Sequence, residues 1–259
     1  MPGERPILNR TQTVLQLALS SWHDWNTSGL EALAAEPEVV SELFGGRTNK
    51  TFLVSSGDFR AVVRVNSPDA VKLGIDRQRE KRILQLLQPT GLVPKVLFIH
   101  DDFLVSEFIE GSSLTYKSLK NSHFMGSLSE ALAVIQSVKM ADDSPRNYLD
   151  YCRQYLNQLS EVTVSPVVVE QIEEAARAVD GEAWEPVICH HDMVPENMIV
   201  NDRGLFIIDW EYAALGHPGL DFLRLYGADY ASLDSQKESL QSLFKVKQAM
   251  DKLWLAVQL

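Results

Sequence analysis

Two cysteines in 259 residues, Cys152 and Cys189, are too few for a disulfide framework and lack the close spacing of a metal site. No apolar run approaches the roughly eighteen residues that a membrane span needs. The opening MPGERPILNR carries charges of both signs with no long apolar stretch behind it, which is not the pattern of a secretory leader. These absences lead to the expectation of a cytoplasmic chain without membrane insertion. Internal repeats and low-complexity segments are missing too, so solenoid and tail-like organisations drop out. Positive charge is scarce: 24 Lys and Arg against 35 Asp and Glu leave a net charge of −11. That balance repels nucleic-acid phosphates and is compatible with a cationic small molecule. The one basic run, DRQREKR at 76–82, alternates with acids and reads as a solvated helix face.

What is present is ordinary globular material, 45% hydrophobic and 23% charged, enough for one large domain or two modest lobes. Val14, Leu15, Ala18 and Trp22 recur at helical spacing and predict an N-terminal helix over 11–22. Short β-forming runs follow at 38–44, 50–56 and 59–65, separated by GGRTN and by a GD hairpin signal. A helix is expected at about 75–88, with Ile75, Ile83, Leu84 and Leu87 on its apolar side, and two more strands at 95–100 and 103–109. This is an antiparallel sheet of about five strands with one helix inserted after the third. From EGSS at 110–113 the pattern turns helical through 180, with a β-branched interruption at VTVSPVVV. The strand of PVICHHD, a hairpin of MIV and LFIID around NDRG, and further helices complete the chain. The expected class is α+β in two lobes, residues 1–110 carrying the sheet and 111–259 being mostly helical, with a ligand in the cleft between them.

The chemistry concentrates in CHHDMVPEN at 189–197, which places two histidines, an acid and an amide between runs of apolar β-formers. Hydrophobic packing would favour none of them there. Asp192 and Asn197 share one loop, and the hairpin that follows folds back so that Asp209, at the end of LFIID, returns beside it. Two carboxylates and an amide oxygen then surround a common point. Hard oxygen ligands suit magnesium, which completes its shell with phosphate and water. An acid that positions an acceptor hydroxyl, with oxygen ligands for a nucleotide-bound metal, is the equipment of phosphoryl transfer. A lone D-x₄-N would only shape a loop; the full H-x-D-x₄-N, flanked by strands and followed at hairpin distance by an acid, is far more specific.

ICHHDMVPENMIV…GLFIIDWEYA resembles the catalytic segment of the aminoglycoside phosphotransferase and choline kinase superfamily, relatives of the protein kinases. IDWEYA looks most like the choline/ethanolamine kinase and thiamine kinase branch. The resemblance implies a two-lobed protein-kinase-like fold, with Asp192 as catalytic base, His190 as organiser of its loop, and Asn197 and Asp209 as magnesium ligands. FGGRTNKTF resembles the nucleotide-covering hairpin, which gives Gly45, Gly46 and Asn49 to the phosphates; the glycines let backbone N–H groups approach them. Arg64 stands where kinases place a phosphate-binding cation, Glu80 is its natural partner, and VSEFIEG resembles an interlobe hinge, with Glu107 and Phe108 at the adenine. On the acceptor side Trp210, Glu211 and Tyr212 could offer π faces and negative charge to a cation, or could pack in the core. Asp221 is either a substrate ligand or, more in keeping with its surroundings, a buried anchor for the loop.

The sequence departs from relatives at His191, Val194 and Glu196, and has Ala228 where eukaryotic choline kinases carry an acid, with Asp229 next door. The expectation is therefore an ATP- and magnesium-dependent transfer to a small-molecule alcohol such as thiamine, choline or ethanolamine, with the oligomeric state open. The rivals are an antibiotic kinase of the aminoglycoside type and a kinase-like binding protein without turnover. A protein kinase is disfavoured, because no DFG or APE segment follows the metal-binding acid.

Overall fold

FRAVVRV at 59–65 is apolar at every second position, and in the structure, a computed structural model, Phe59, Ala61, Val63 and Val65 are buried in one core. The described residues are 9–43, 48–120, 122–141, 143–160, 163–232 and 238–258. They divide into two compact units, residues 1–70 with 94–110, and 71–93 with 111–259.

The first unit opens with helix α1 (Arg10–Ser20), started by a capping box in which Asn9 Oδ1 accepts from Gln12 N at 2.9 Å and Gln12 Oε1 from Asn9 N at 3.0 Å. Strands β1 (Glu38–Leu43), β2 (Lys50–Ser56) and β3 (Phe59–Val65) follow. The β2–β3 hairpin turns at Gly57, whose φ of 61° suits glycine. Two later strands of the same unit, β4 (Val96–Ile99) and β5 (Phe103–Glu107), complete an all-antiparallel sheet of order β1-β2-β3-β5-β4. α1 covers it: Val14 and Ala18 join Trp25, Val54 and Val63 in one core. Each valine among these, removed from water, contributes about 1.5–3 kcal/mol.

Helix α2 (Arg77–Leu87), capped by the Asp76 carboxylate, was expected with the sheet but clusters with the second unit. Its segment is tied there by Tyr155 Oη, which donates to the Leu73 carbonyl at 2.5 Å, and by Ile207 N, which donates to Leu92 O at 2.7 Å. The unit continues with β6 (Ser112–Ser113) and helices α3 (Ser122–Ser137), α4 (Tyr148–Leu156) and α5 (Pro166–Gly181). The β-branched PVVV read as an interruption is the first turn of α5, since Pro166 at its start needs no N–H partner. β7 (Val187–Cys189) pairs with β10 (Ala214–Gly216), a partner the sequence did not reveal, while β6, β8 (Met198–Asn201) and β9 (Gly204–Ile207) form a second small sheet. Gly111 belongs at its entry because a Cβ there would lie 2.7 Å from Ile199 Cγ2 and Val200 O. Helices α6 (Leu220–Tyr226), α7 (Ala228–Ser232) and α8 (Glu238–Val257) end the chain; α8 packs with α4 and α5 around Cys152, Tyr155, Ala176 and Val246. No helix among the described residues is long and apolar enough to cross a membrane.

Candidate active site

β7 delivers the chain to His190, and the loop His190–Asn197 carries it into β8. What holds this loop is polar. Asp221, fully buried on α6, accepts from His190 N at 2.7 Å with one oxygen and from His191 N at 3.1 Å with the other. Burial raises its pKa although both N–H donors favour the anion. His191 adopts a left-handed φ of 64°, a conformation that costs a non-glycine residue energy and persists only where surroundings impose it. Here the imposing groups are the two N–H bonds to Asp221 and a close fit against Gly216, where a Cβ would lie 2.8 Å from His191 Cε1. With both oxygens spent on backbone and no exposure, Asp221 is the loop's anchor and has no face for a substrate.

His190 is equally buried. Its Nδ1 accepts from Asp192 N at 3.2 Å, so its Nε2 carries the proton and donates to Ile208 O at 2.9 Å. Burial holds its pKa below the usual histidine value, and the ring acts as a neutral strut between the loop and the end of β9. The edge of Trp210, its ring centre 4.7 Å away, closes over it.

Asp192 and Asn197 meet directly. Asn197 Nδ2 donates to the Asp192 carbonyl at 3.0 Å and to its Oδ2 at 3.3 Å, which turns the amide oxygen away from Asp192. Asn197 O in turn accepts from Ile208 N at 2.9 Å. Ile208 is thus bonded to both Asn197 and His190, and Asp209 is the next residue. Asp209 also takes the left-handed conformation, φ 64° and ψ 58°, which an Asp tolerates better than most side chains. Among the described residues no group of three or more His, Cys, Asp or Glu is arranged to hold a metal. An amide oxygen with one carboxylate is instead a partial shell, of the hard donor type that suits magnesium already carrying phosphate.

The three residues after Asp209 turn inward. Trp210 Nε1 donates to Ile207 O at 2.8 Å, Tyr212 Oη accepts from Trp254 Nε1 at 2.7 Å, and all three side chains are buried. Glu211 takes Arg77 Nη2 at 3.0 Å, while Arg77 Nη1 takes Glu80 at 2.9 Å. One guanidinium therefore clamps α2 to the turn after Asp209. Of the two readings open for Trp210, Glu211 and Tyr212, these contacts are those of packing and bracing. Arg146, 3.9 Å above the Tyr151 ring, braces the same turn through Tyr212 O at 2.9 Å.

In the sheet unit, Asn49 Oδ1 accepts from Ser67 N at 3.1 Å. Arg64, buried on β3, donates through Nε to Asn66 Oδ1 at 3.2 Å, and Asn66 Nδ2 donates to Asp101 O at 2.9 Å. This network fixes the root of the guanidinium at the end of the sheet. Glu107 N donates to Lys95 O at 2.8 Å, and Phe108 lies under Arg60, 5.4 Å from its ring centre. Gly45 and Gly46 lie outside the described residues.

Reasoning from sequence missed Arg224. It stands on α6 three residues after Asp221, hence on the same face, and its Nη2 lies 2.7 Å from Asp192 Oδ1. Burial works against its charge, but Asp192 and then Asp251 outweigh it and raise its pKa. The only available signal was that i, i+3 spacing in LDFLRLY.

An antiparallel sheet unit and a helical unit that carries H-x-D-x₄-N and a hairpin-delivered Asp define the α+β fold of the kinase-like phosphotransferases. The crystal structure of choline kinase LicA from Streptococcus pneumoniae has this fold: it matches with a TM-score of 0.72 over 96% of this chain and 91% of its own, at 22% identity. The profile of the Phosphotransferase enzyme family (APH) matches residues 39–252, and the chain belongs to that family. Protein LicA of Haemophilus influenzae is 28% identical over 191 residues, 68% of this chain and 54% of that protein. Ethanolamine kinase 2 of Mus musculus is 23% identical over 194 residues, again 68% of this chain and 50% of its own length. The chain thus spans about half the length of these curated relatives.

Proposed function

We propose that the chain transfers the γ-phosphate of ATP to the hydroxyl of a small cationic alcohol, with ethanolamine and choline ahead of thiamine. One observation carries the reading: Asp192 and Asn197 are bonded to each other, and Asp192 through His190 and Asn197 directly are tied to Ile208, the residue before Asp209. Membership of a phosphotransferase family and likeness to ethanolamine kinases support it, and the acidic net charge suits a cationic acceptor.

Asp192, one third exposed, receives the acceptor hydroxyl and takes its proton as the oxygen attacks the γ-phosphorus and the bond to the β–γ bridging oxygen breaks, releasing ADP. His190 and Asp221 keep the loop from shifting, which matters because positioning supplies most of the acceleration in this chemistry. Asn197 and Asp209 are the residues that would hold magnesium, which neutralises phosphate charge when bound. Arg64 adds a cation for the nucleotide phosphates, its Nε bonded to Asn66, and Asn49, Gly45 and Gly46 are the further residues assigned to those phosphates. The adenine edge falls to the backbone near Glu107 and Phe108. Glu80 braces a guanidinium, as Arg77 shows within its own unit.

The test is ATP consumption with magnesium across ethanolamine, choline, thiamine and an aminoglycoside. Turnover with one of the first three supports the reading. Turnover confined to the aminoglycoside favours an antibiotic kinase, and ATP binding without turnover on any of them favours a binding protein.

A further inference from the structure

The carboxylate assigned as catalytic base is not alone. Arg224 Nη2 holds Asp192 Oδ1 at 2.7 Å, and Arg224 Nη1 holds Asp251 Oδ1 at 3.2 Å. Lys247, one turn earlier on α8, holds the other Asp251 oxygen at 2.8 Å. Charges therefore alternate from the last helix to the loop: Lys247, Asp251, Arg224, Asp192. The Arg224 side chain is only 12% exposed, so the guanidinium is screened little by water and kept in place by two anions. The two Asp192 oxygens are left unequal. Oδ1 has a short, charged bond; among the described residues Oδ2 has the longer 3.3 Å contact from Asn197.

We infer that Arg224 is a positioning residue for the transfer step, its fork anchored by Asp251 and fixing the Asp192 carboxylate so that Oδ2 meets the acceptor hydroxyl. The inference rests on Asp192 being the base. A carboxylate on a loop can rotate about its last torsion; one prong of the guanidinium holds Oδ1 while the other is held by Asp251, which limits that rotation in a way a lysine's single point of charge does not. It also gives α8 a part in catalysis, although no residue of that helix touches Asp192 in the bonds described above.

The experiment is steady-state kinetics of the full chain on the acceptor that the wild type uses, with thermal denaturation alongside, for R224Q, R224K and R224Q/D251N. R224Q is expected to lose about a hundredfold in kcat, the scale of a misplaced reacting group, with KM for ATP within about twofold of wild type. R224K is expected to recover part of that loss. In R224Q Asp251 keeps Lys247 as its partner, but the four-charge cluster is left with one excess negative charge; R224Q/D251N restores the balance and is expected to regain thermal stability without regaining kcat. A double variant that regains both would make Arg224 merely structural and overturn the inference. A rise in turnover in R224Q would also overturn it, by showing that the guanidinium occupies the acceptor's place. Equal kcat in R224Q and an active wild type overturns this inference alone, whereas a wild type that binds ATP but phosphorylates no acceptor overturns the parent reading and this one together.

Discussion

The interior of the sheet unit is mainly aliphatic and aromatic, with Val54, Phe59, Val63 and Val105 at its centre, whereas in and around the His190–Asn197 loop the helical unit buries His190, His191, Glu211, His217 and Asp221. The polar side chains buried in the sheet unit, Asn49, Arg64 and Asn66, gather at the open end of β3 and are bonded among themselves or to backbone there. An apolar interior is held by a non-directional force and tolerates volume-conserving exchange. A buried polar loop is held by directional bonds, each of which leaves a costly orphan when its partner is removed. The first kind of interior makes a scaffold; the second holds the His190–Asn197 loop through named bonds.

The comparison is broken most directly at Asp221. Asp221→Ala strands two buried N–H donors, and the expected loss is about 3 kcal/mol of stability in urea denaturation, together with most of the turnover. A loss below about 1 kcal/mol would mean that the loop holds itself. In the sheet, Val54→Ala opens a cavity and is expected to cost about 2 kcal/mol while kcat stays within about twofold, because nothing directional is lost. A larger fall in kcat than in stability would erase the contrast between the two interiors.

His191→Asn is a finer probe. Asn accepts the left-handed backbone, so the turn survives with a loss of about 1 kcal/mol from packing. The pH dependence is the sharper readout. Burial holds the His191 pKa well below the usual value, and holds that of His190 down as well. Below about pH 6.5 the unfolded chain takes up protons that the folded chain refuses, so stability falls as pH drops from about 7 to 5. Asp221 runs the other way: with its pKa raised by burial, it favours folding at low pH and loses that contribution as pH rises through its folded value. H191N should therefore lessen the acid loss of the wild type, measured as thermal midpoint against pH. An unchanged slope would show that His191 does not titrate across unfolding.

Much of this was legible beforehand, for reasons that differ by region. The sheet follows from β-forming runs and turn residues, and its five strands lie where EVVSELF, KTFLVSS, FRAVVRV, KVLFIH and FLVSEFI put them. The meeting of Asp192 with Asn197 follows from loop spacing, and the return of Ile208 to Asn197 from the short β8–β9 hairpin. Contacts between distant segments were not legible. Arg77 sits in a run that reads as a solvated face, and only the fold reveals Glu211 beside it. The same limit hid Arg224, whose importance depends on α6 lying against the loop. β10 escaped notice because ALG has no β-branched residue, and the inward turn of Trp210 and Tyr212 could not be told from a ligand face until Ile207 O and Trp254 appeared as their partners.

The most direct measurement of the central claim is single-turnover transfer of the γ-phosphate from magnesium ATP to the preferred acceptor, comparing wild type with Asp192→Asn. The substitution keeps the side-chain volume and removes the base. A transfer rate lower by about a thousandfold, with ATP still bound, is the expected result; a rate close to wild type would contradict the assignment of Asp192 and the mechanism built on it.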